Sequence, residues 1–255
     1  GMRQVRPPSV ASLQAGEYGP ALKSLEKHLQ MIAREKHPAG TPENRRVRDY
    51  ILERISALGW KPEIQKGFVV RTEGRLAAFA ENLMVRIPGT ERREAVLLCA
   101  HYDSVPHSFG AGDDGAAVAA MLSTLEYVTA HRVKNDLLFL FSDAEEMGMF
   151  GAELFVQSHP WAKDVRFVLN FEARGSSGPV LLFETSAGNR SAIARFAESP
   201  FAVHAYSWSY EAYRRMPNNT DFSMFKRLGV PGLNFGFIDT PNHYHTPLDS
   251  LASLD

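Results

Sequence analysis

The chain has 255 residues, 44% hydrophobic and 22% charged, which is enough apolar sequence to bury one sizeable core. Its formal net charge of −1 and its scattered basic residues leave no electrostatic footprint for nucleic acid. Cys99 is the single cysteine, so an intrachain disulfide and a thiolate zinc site are both excluded, and its apolar neighbours Leu98 and Ala100 mark a buried core thiol rather than a nucleophile.

Gly1-Met2 reads as the remnant of a cleaved tag, and residues 1–19 as a flexible start before one domain over 20–255. Leu22, Leu25, Leu29, Ile32 and Ala33 recur at helical spacing and predict an amphipathic helix over 20–37, closed by Pro38-Ala39-Gly40. A second helix follows over 41–58, with Thr41 as N-cap, Pro42 in the first turn and Gly59 as its stop. The period then changes. Residues 68–70 and 82–87 read as strands, and the apolar run 95–100 reads as a strand buried on both faces. A small-residue helix is predicted over 114–131, a buried strand over 137–141, a helix over 150–157 and a third buried strand over 165–171. A strand over 180–183, a helix over 189–197 and a strand over 232–238 complete the order, with the aromatic stretch 206–213 reading as a loop over the cleft. Strands alternating with helices predict an α/β fold, a three-layer α/β/α sandwich around a mixed, mainly parallel twisted sheet. No run approaches the ~20 apolar residues that span a bilayer, so no membrane contact is expected of this segment itself.

In open α/β sheets functional groups collect at the carboxyl ends of the strands. Here those ends deliver His101-Tyr102-Asp103, then Ser142-Asp143-Ala144-Glu145-Glu146, then Glu172, then Asn242-His243-Tyr244-His245, with Gly112-Asp113-Asp114-Gly115 opening a helix. Each piece alone has a plainer reading. A histidine at a strand end is ordinarily a surface residue, Asp113 or Asp114 a helix N-cap, and Glu145-Glu146 a solvated first turn. Four such coincidences at one rim favour a site instead. Two histidines, a shareable aspartate and two further carboxylates suit a pair of zinc ions about 3.5–4 Å apart, with one glutamate left over as general base.

These motifs resemble those of the co-catalytic zinc exopeptidases of clan MH, which include secreted bacterial aminopeptidases, glutamate carboxypeptidase II, membrane metallopeptidases of the endoplasmic reticulum and vacuole and, more distantly, glutaminyl cyclases. The resemblance rests on His101-Tyr102-Asp103 with Gly112-Asp113-Asp114-Gly115, on residues 141–148 with Gly151-Ala152, and on Tyr244-His245-Thr246-Pro247-Leu248-Asp249-Ser250. It implies two zinc ions per chain, with manganese or cobalt as the alternatives, one on His101, Asp113 and Glu172 and one on Asp113, Glu146 and His245, with Asp113 bridging. It implies Glu145 as the base acting on a shared water, Tyr244 facing the oxyanion, Asp103 orienting His101, and a cis peptide at Asp113-Asp114. Arg174, His107 and Phe109 stand as pocket candidates and Asp221 as a candidate support for the site, while the duller reading of Thr220-Asp221 is an N-cap. Glu172 is an aspartate in many secreted members; the glutamate resembles the membrane-anchored branch. With the chain stopping at Asp255, this implies a soluble piece of a longer, anchored protein outside the cytoplasm.

The function implied is an aminopeptidase acting on a peptide with a free N-terminus. A carboxypeptidase or dipeptidase would need a basic pocket, for which Arg174, Arg214 and Arg215 are the candidates. A one-zinc glutaminyl cyclase is disfavoured by the full set of ligands for a second metal, and a degenerate receptor-like module by the retention of Glu145 and all five ligands.

Overall fold

The structure, a computed structural model, describes residues 19–199 and 204–255. The expected flexible start over 1–19 falls outside the described residues except for Gly19, which opens the first helix.

Two helices come first, α1 (Gly19–Ile32) and α2 (Pro42–Ala57). α1 stops short of the expected 37 because the Arg46 guanidinium caps its last carbonyls, donating to Met31 O at 2.7 Å and Ile32 O at 3.4 Å. The chain then turns inward, and the buried His37 donates its N–H to Ser104 Oγ at 3.0 Å. α2 starts where its sequence dictates, with Thr41 Oγ1 accepting from Asn44 N at 3.2 Å and Pro42 in the first turn.

A long hairpin follows, β1 (Glu63–Arg71) and β2 (Leu76–Ile87), then β3 (Arg92–His101), α3 (Ala116–Ala130), β4 (Asn135–Ser142), α4 (Phe150–Ser158) and β5 (Val165–Ala173). The rest comprises β6 (Leu181–Thr185), α5 (Arg190–Ala197), β7 (His204–Ala205), α6 (Ser207–Arg215), α7 (Phe222–Arg227) and β8 (Gly232–Phe237). Residues 206–213 are therefore largely helical rather than a loop. Phe183 on β6 meets Tyr213 edge-on, with ring centroids 4.7 Å apart, which gives α6 an apolar surface to fold against.

The eight strands form one sheet in the order β1-β2-β4-β3-β5-β8-β6-β7. The four central strands β4, β3, β5 and β8 are mutually parallel, while β2 joins β4 and β6 joins β8 antiparallel. Strand alternation sends side chains to opposite faces. On β3, Leu98 and Ala100 meet Ile32, Ile51, Val118 and Leu122 of α1–α3, whereas Leu97 and Cys99 meet Phe155 of α4 and Phe222 and Phe225 of α7. Both faces are thus covered, which explains the unbroken apolar runs, and the result is the α/β/α sandwich that the sequence predicts. Ile32, Ile51 and Ile55 are completely buried, so truncating any of them to alanine costs about 2–5 kcal/mol.

Candidate metal centre

Because β4, β3, β5 and β8 run parallel, their carboxyl ends open on one edge of the sheet. β3 ends at His101, the turn after β4 holds Glu145 and Glu146, β5 carries Glu172 near its end, and the segment after β8 brings Tyr244 and His245.

The helix expected from 114 begins only at Ala116, and residues 111–115 form a single wide turn in which Asp113 (φ −108°, ψ 88°) and Asp114 (φ −127°, ψ 29°) are non-helical. The Asp113-Asp114 peptide is cis, and neither aspartate caps α3. Gly112 is obligatory here, since a Cβ would lie 2.8 Å from Gly175 O and 2.9 Å from Asp249 Oδ1.

Asp113 lies between the histidines. Its Oδ1 is 3.3 Å from His101 Nε2 and its Oδ2 is 3.1 Å from His245 Nε2. Glu172 Oε2 approaches His101 Nε2 to 3.9 Å, and Glu146 Oε2 approaches His245 Nε2 to 3.0 Å. Two groups result, His101 with Asp113 and Glu172, and Asp113 with Glu146 and His245, each with donor atoms within 4.8 Å of one another. His101 donates through Nδ1 to the Asp103 carbonyl at 3.0 Å, a tautomer that leaves the Nε2 lone pair facing the carboxylates.

The local electrostatics call for cations. Burial, then the neighbouring carboxylates, raise Glu145 and Glu172 well above the usual carboxylate range, with His101 opposing. Burial and Asp113 push Glu146 up to about 7. Burial would raise Asp113 too, but the two histidines hold it at about 2. Burial pulls His245 down, and Asp113 and Glu146 overcome it, raising the imidazole to about 9. Glu146 Oε1, Glu172 Oε1 and His245 Nε2 are buried without any hydrogen-bond partner, the last despite its two short approaches to carboxylate oxygens. Orphaned N and O donors aimed at shared points, among four carboxylates, fit two divalent ions and match zinc in donor type.

The surroundings revise several expectations. The Asp103 carboxylate is 3.5 Å from His101 Nδ1, farther than its own carbonyl, and accepts instead from Glu145 N at 3.0 Å and Glu146 N at 3.3 Å. Asp114 Oδ2 accepts the His101 N–H at 3.2 Å. His107 is exposed and Phe109, half-buried, lies under the Lys36 ammonium, so neither lines the cavity. The cause is local. Ser108 Oγ donates to Asp249 Oδ2 and accepts from Gly110 N, so Ser108 turns inward and His107 outward. Arg174 does line the cavity, whereas Arg214 pairs with Glu211 at 2.9 Å outside it.

Two supporting residues, Asp249 and Asp143, escaped the sequence reading, whereas Asp221 is among its candidates. Asp249 accepts from Gly112 N at 2.6 Å and Asp113 N at 3.2 Å, binding the last motif to the turn that carries the shared aspartate. Asp143 accepts from Glu81 N at 3.0 Å and Asn44 Nδ2 at 3.2 Å. Asp221 takes the Ser142 hydroxyl and, at 3.8 Å, the Cys99 thiol, while Thr220 accepts from Asn234 Nδ2 at 2.9 Å and caps nothing. The aspartates themselves were visible in the motifs, but their partners, backbone amides and side chains distant in sequence, are announced by no local pattern.

A cavity of about 290 Å³ opens beside the centre. Asp113, Glu145 and Glu172 form one wall, and Leu181, Phe183, Trp208, Met216 and Ile238 form the apolar part. The Tyr244 ring, also at the cavity, stacks on His245 at 3.7 Å.

Such a rim, with nitrogen and oxygen donors converging on two points beside a side-chain-sized cavity, defines the class of the metal-dependent peptidases. The chain belongs to peptidase family M28, whose model matches residues 82–255. The vacuolar membrane protease of Candida albicans (strain WO-1) is 33% identical over 237 residues, covering 91% of this chain and 28% of the relative. The chain thus spans about a quarter of the length of such curated relatives. Among solved structures, an aminopeptidase from Aneurinibacillus sp. strain AM-1 superposes with a TM-score of 0.72 at 13% identity, covering 91% of this chain and 89% of that one. A Porphyromonas gingivalis glutaminyl cyclase superposes with a TM-score of 0.68 at 18% identity, covering 91% of each. At these identities the likeness establishes the fold alone. Among the described residues, no helix is long and apolar enough to cross a membrane.

Proposed function

We propose that the chain is an aminopeptidase-type exopeptidase that hydrolyses the first peptide bond of a substrate with a free N-terminus. The observation that carries this reading is the pair of donor groups sharing Asp113, beside a cavity that also holds Glu145. His101, Asp113 and Glu172 would hold one ion, and Asp113, Glu146 and His245 the other, with zinc the natural occupant of such sites. Bound there, two such ions supply Lewis acidity for the scissile carbonyl and make water a nucleophile at neutral pH.

The chain's own groups do the rest. The Glu145 carboxylate takes a proton from the attacking water and returns it to the leaving amine as the C–N bond breaks. The Tyr244 hydroxyl donates to the oxygen that gains charge. The apolar part of the cavity receives the substrate's first side chain. The vacuolar membrane proteases among the relatives support placing the activity outside the cytoplasm, in a domain of a membrane-anchored protein.

The test is hydrolysis of aminoacyl-p-nitroanilides by zinc-loaded protein beside their N-acetylated counterparts. Cleavage confined to the free amines is expected; equal cleavage of both, or of the acetylated forms alone, contradicts the assignment.

A further inference from the structure

Arg174 follows β5 directly, and its backbone N–H still donates to Phe237 O of β8 at 3.0 Å. It stands two residues after Glu172, and both side chains line the cavity beside the candidate centre. No ion pair of Arg174 is found among the described residues; its guanidinium lies instead over the Tyr244 ring, 5.2 Å from the centroid. It is exposed, and among the described residues it is the one cation lining this cavity. A guanidinium that lies over an aromatic ring and outside any ion pair among the described residues keeps N–H donors available, and its planar fork matches a carboxylate.

We propose that Arg174 binds the C-terminal carboxylate of a short peptide, so that the site acts on di- and tripeptides whose first side chain is apolar. The proposal rests on the aminopeptidase reading above and adds the substrate class. The cavity is small, about 290 Å³, and its apolar wall of Leu181, Phe183, Trp208, Met216 and Ile238 suits one hydrophobic side chain. The one cation at this cavity can meet a terminal carboxylate only in a substrate short enough to present that end while its first residue occupies the site. Long peptides and C-terminal amides gain nothing from it.

The experiment compares kcat/KM for Leu-Leu and Leu-Leu-amide, and for Leu-Leu-Leu and its amide, with the zinc-loaded wild type, Arg174→Gln and Arg174→Lys. A charge-assisted pair facing solvent on one side gives an acid-over-amide preference of roughly 10- to 100-fold. The preference is expected in KM rather than kcat, falling towards one in Arg174→Gln and partly kept in Arg174→Lys. A wild type without the preference, or an Arg174→Gln variant in which acid and amide fall equally, overturns the proposal. Cleavage of leucine p-nitroanilide but of neither peptide also overturns it while leaving the aminopeptidase reading intact. Should turnover be absent altogether, the same acid-to-amide ratio read as Kd in zinc-loaded Glu145→Gln decides the proposal separately from that reading.

Discussion

The Asp103 carboxylate accepts the backbone N–H of Glu145 at 3.0 Å, joining the end of the strand that carries His101 to the turn that carries the proposed base. Its second oxygen takes Glu146 N at 3.3 Å, and its side chain has no solvent exposure. Asp103→Asn offers one acceptor where two N–H groups need one each, and turns an amide N–H₂ towards a donor. We expect activity to fall roughly 10- to 100-fold, mainly in kcat, and stability by about 1–3 kcal/mol. Steady-state kinetics and urea unfolding of the variant check both.

Asp249 and Gly112 form a second tie of this kind. Alanine at 112 would drive its Cβ to 2.8 Å from Gly175 O and 2.9 Å from Asp249 Oδ1, so the turn that presents Asp113 has to shift. Gly112→Ala is expected to weaken metal binding and to cost about 1–3 kcal/mol, the usual penalty for overpacking. Isothermal titration with zinc and thermal unfolding are the direct readouts.

Metal loading should release protons. Without ions, His245 titrates near 9 and Glu146 near 7, so both carry protons at mildly acidic pH, and His245 still does at neutrality. An ion must displace those protons, so apparent affinity rises with pH through 7 and on towards 9. Calorimetric titrations at pH 7 in buffers of different ionisation enthalpy will measure the protons released, with none released contradicting the ligand set. The same linkage means that chelation lowers thermal stability, since an ion that binds only the folded chain stabilises it.

Asp143 gives a separate pH signature for the fold. Burial first, and then the nearby Asp103 charge, push it up to about 7. An unfolded aspartate titrates near 3.9. Between those values the folded chain binds more protons than the unfolded one, so this group's contribution is full below about pH 4 and is lost as pH rises through 7. Asp143→Asn removes the titration, and its unfolding free energy should decline less than the wild type's from pH 4 to pH 7 in urea titrations.

Much of this rim can be read from the sequence because the four central strands are buried on both faces. Each appears as a short apolar run, and the residues just after such a run must lie at the carboxyl edge; His101, Glu145, Glu146 and Glu172 are found this way. Period alone misplaced the start of α3, since Asp113 and Asp114 precede small helix-forming residues yet adopt non-helical angles set by contacts to Asp249 and His101. It also left α6 as a loop. Its aromatic residues lack a clean stripe, and the helix is held by the packing of Tyr213 on Phe183, a contact between segments distant in sequence. His107 and Phe109 failed as pocket residues for a related reason. Proximity to ligands in the chain does not fix direction, and Ser108 decides which side of the loop faces in.

The Glu145→Gln variant, assayed with its metal content measured in parallel, bears most directly on the whole reading. It keeps the shape of the side chain and removes only its capacity to accept a proton. With two ions per chain retained, cleavage of leucine p-nitroanilide should fall by about 10²- to 10⁴-fold. Near-wild-type cleavage by a fully loaded Glu145→Gln protein would contradict the role given to Glu145 and the hydrolytic assignment built on it.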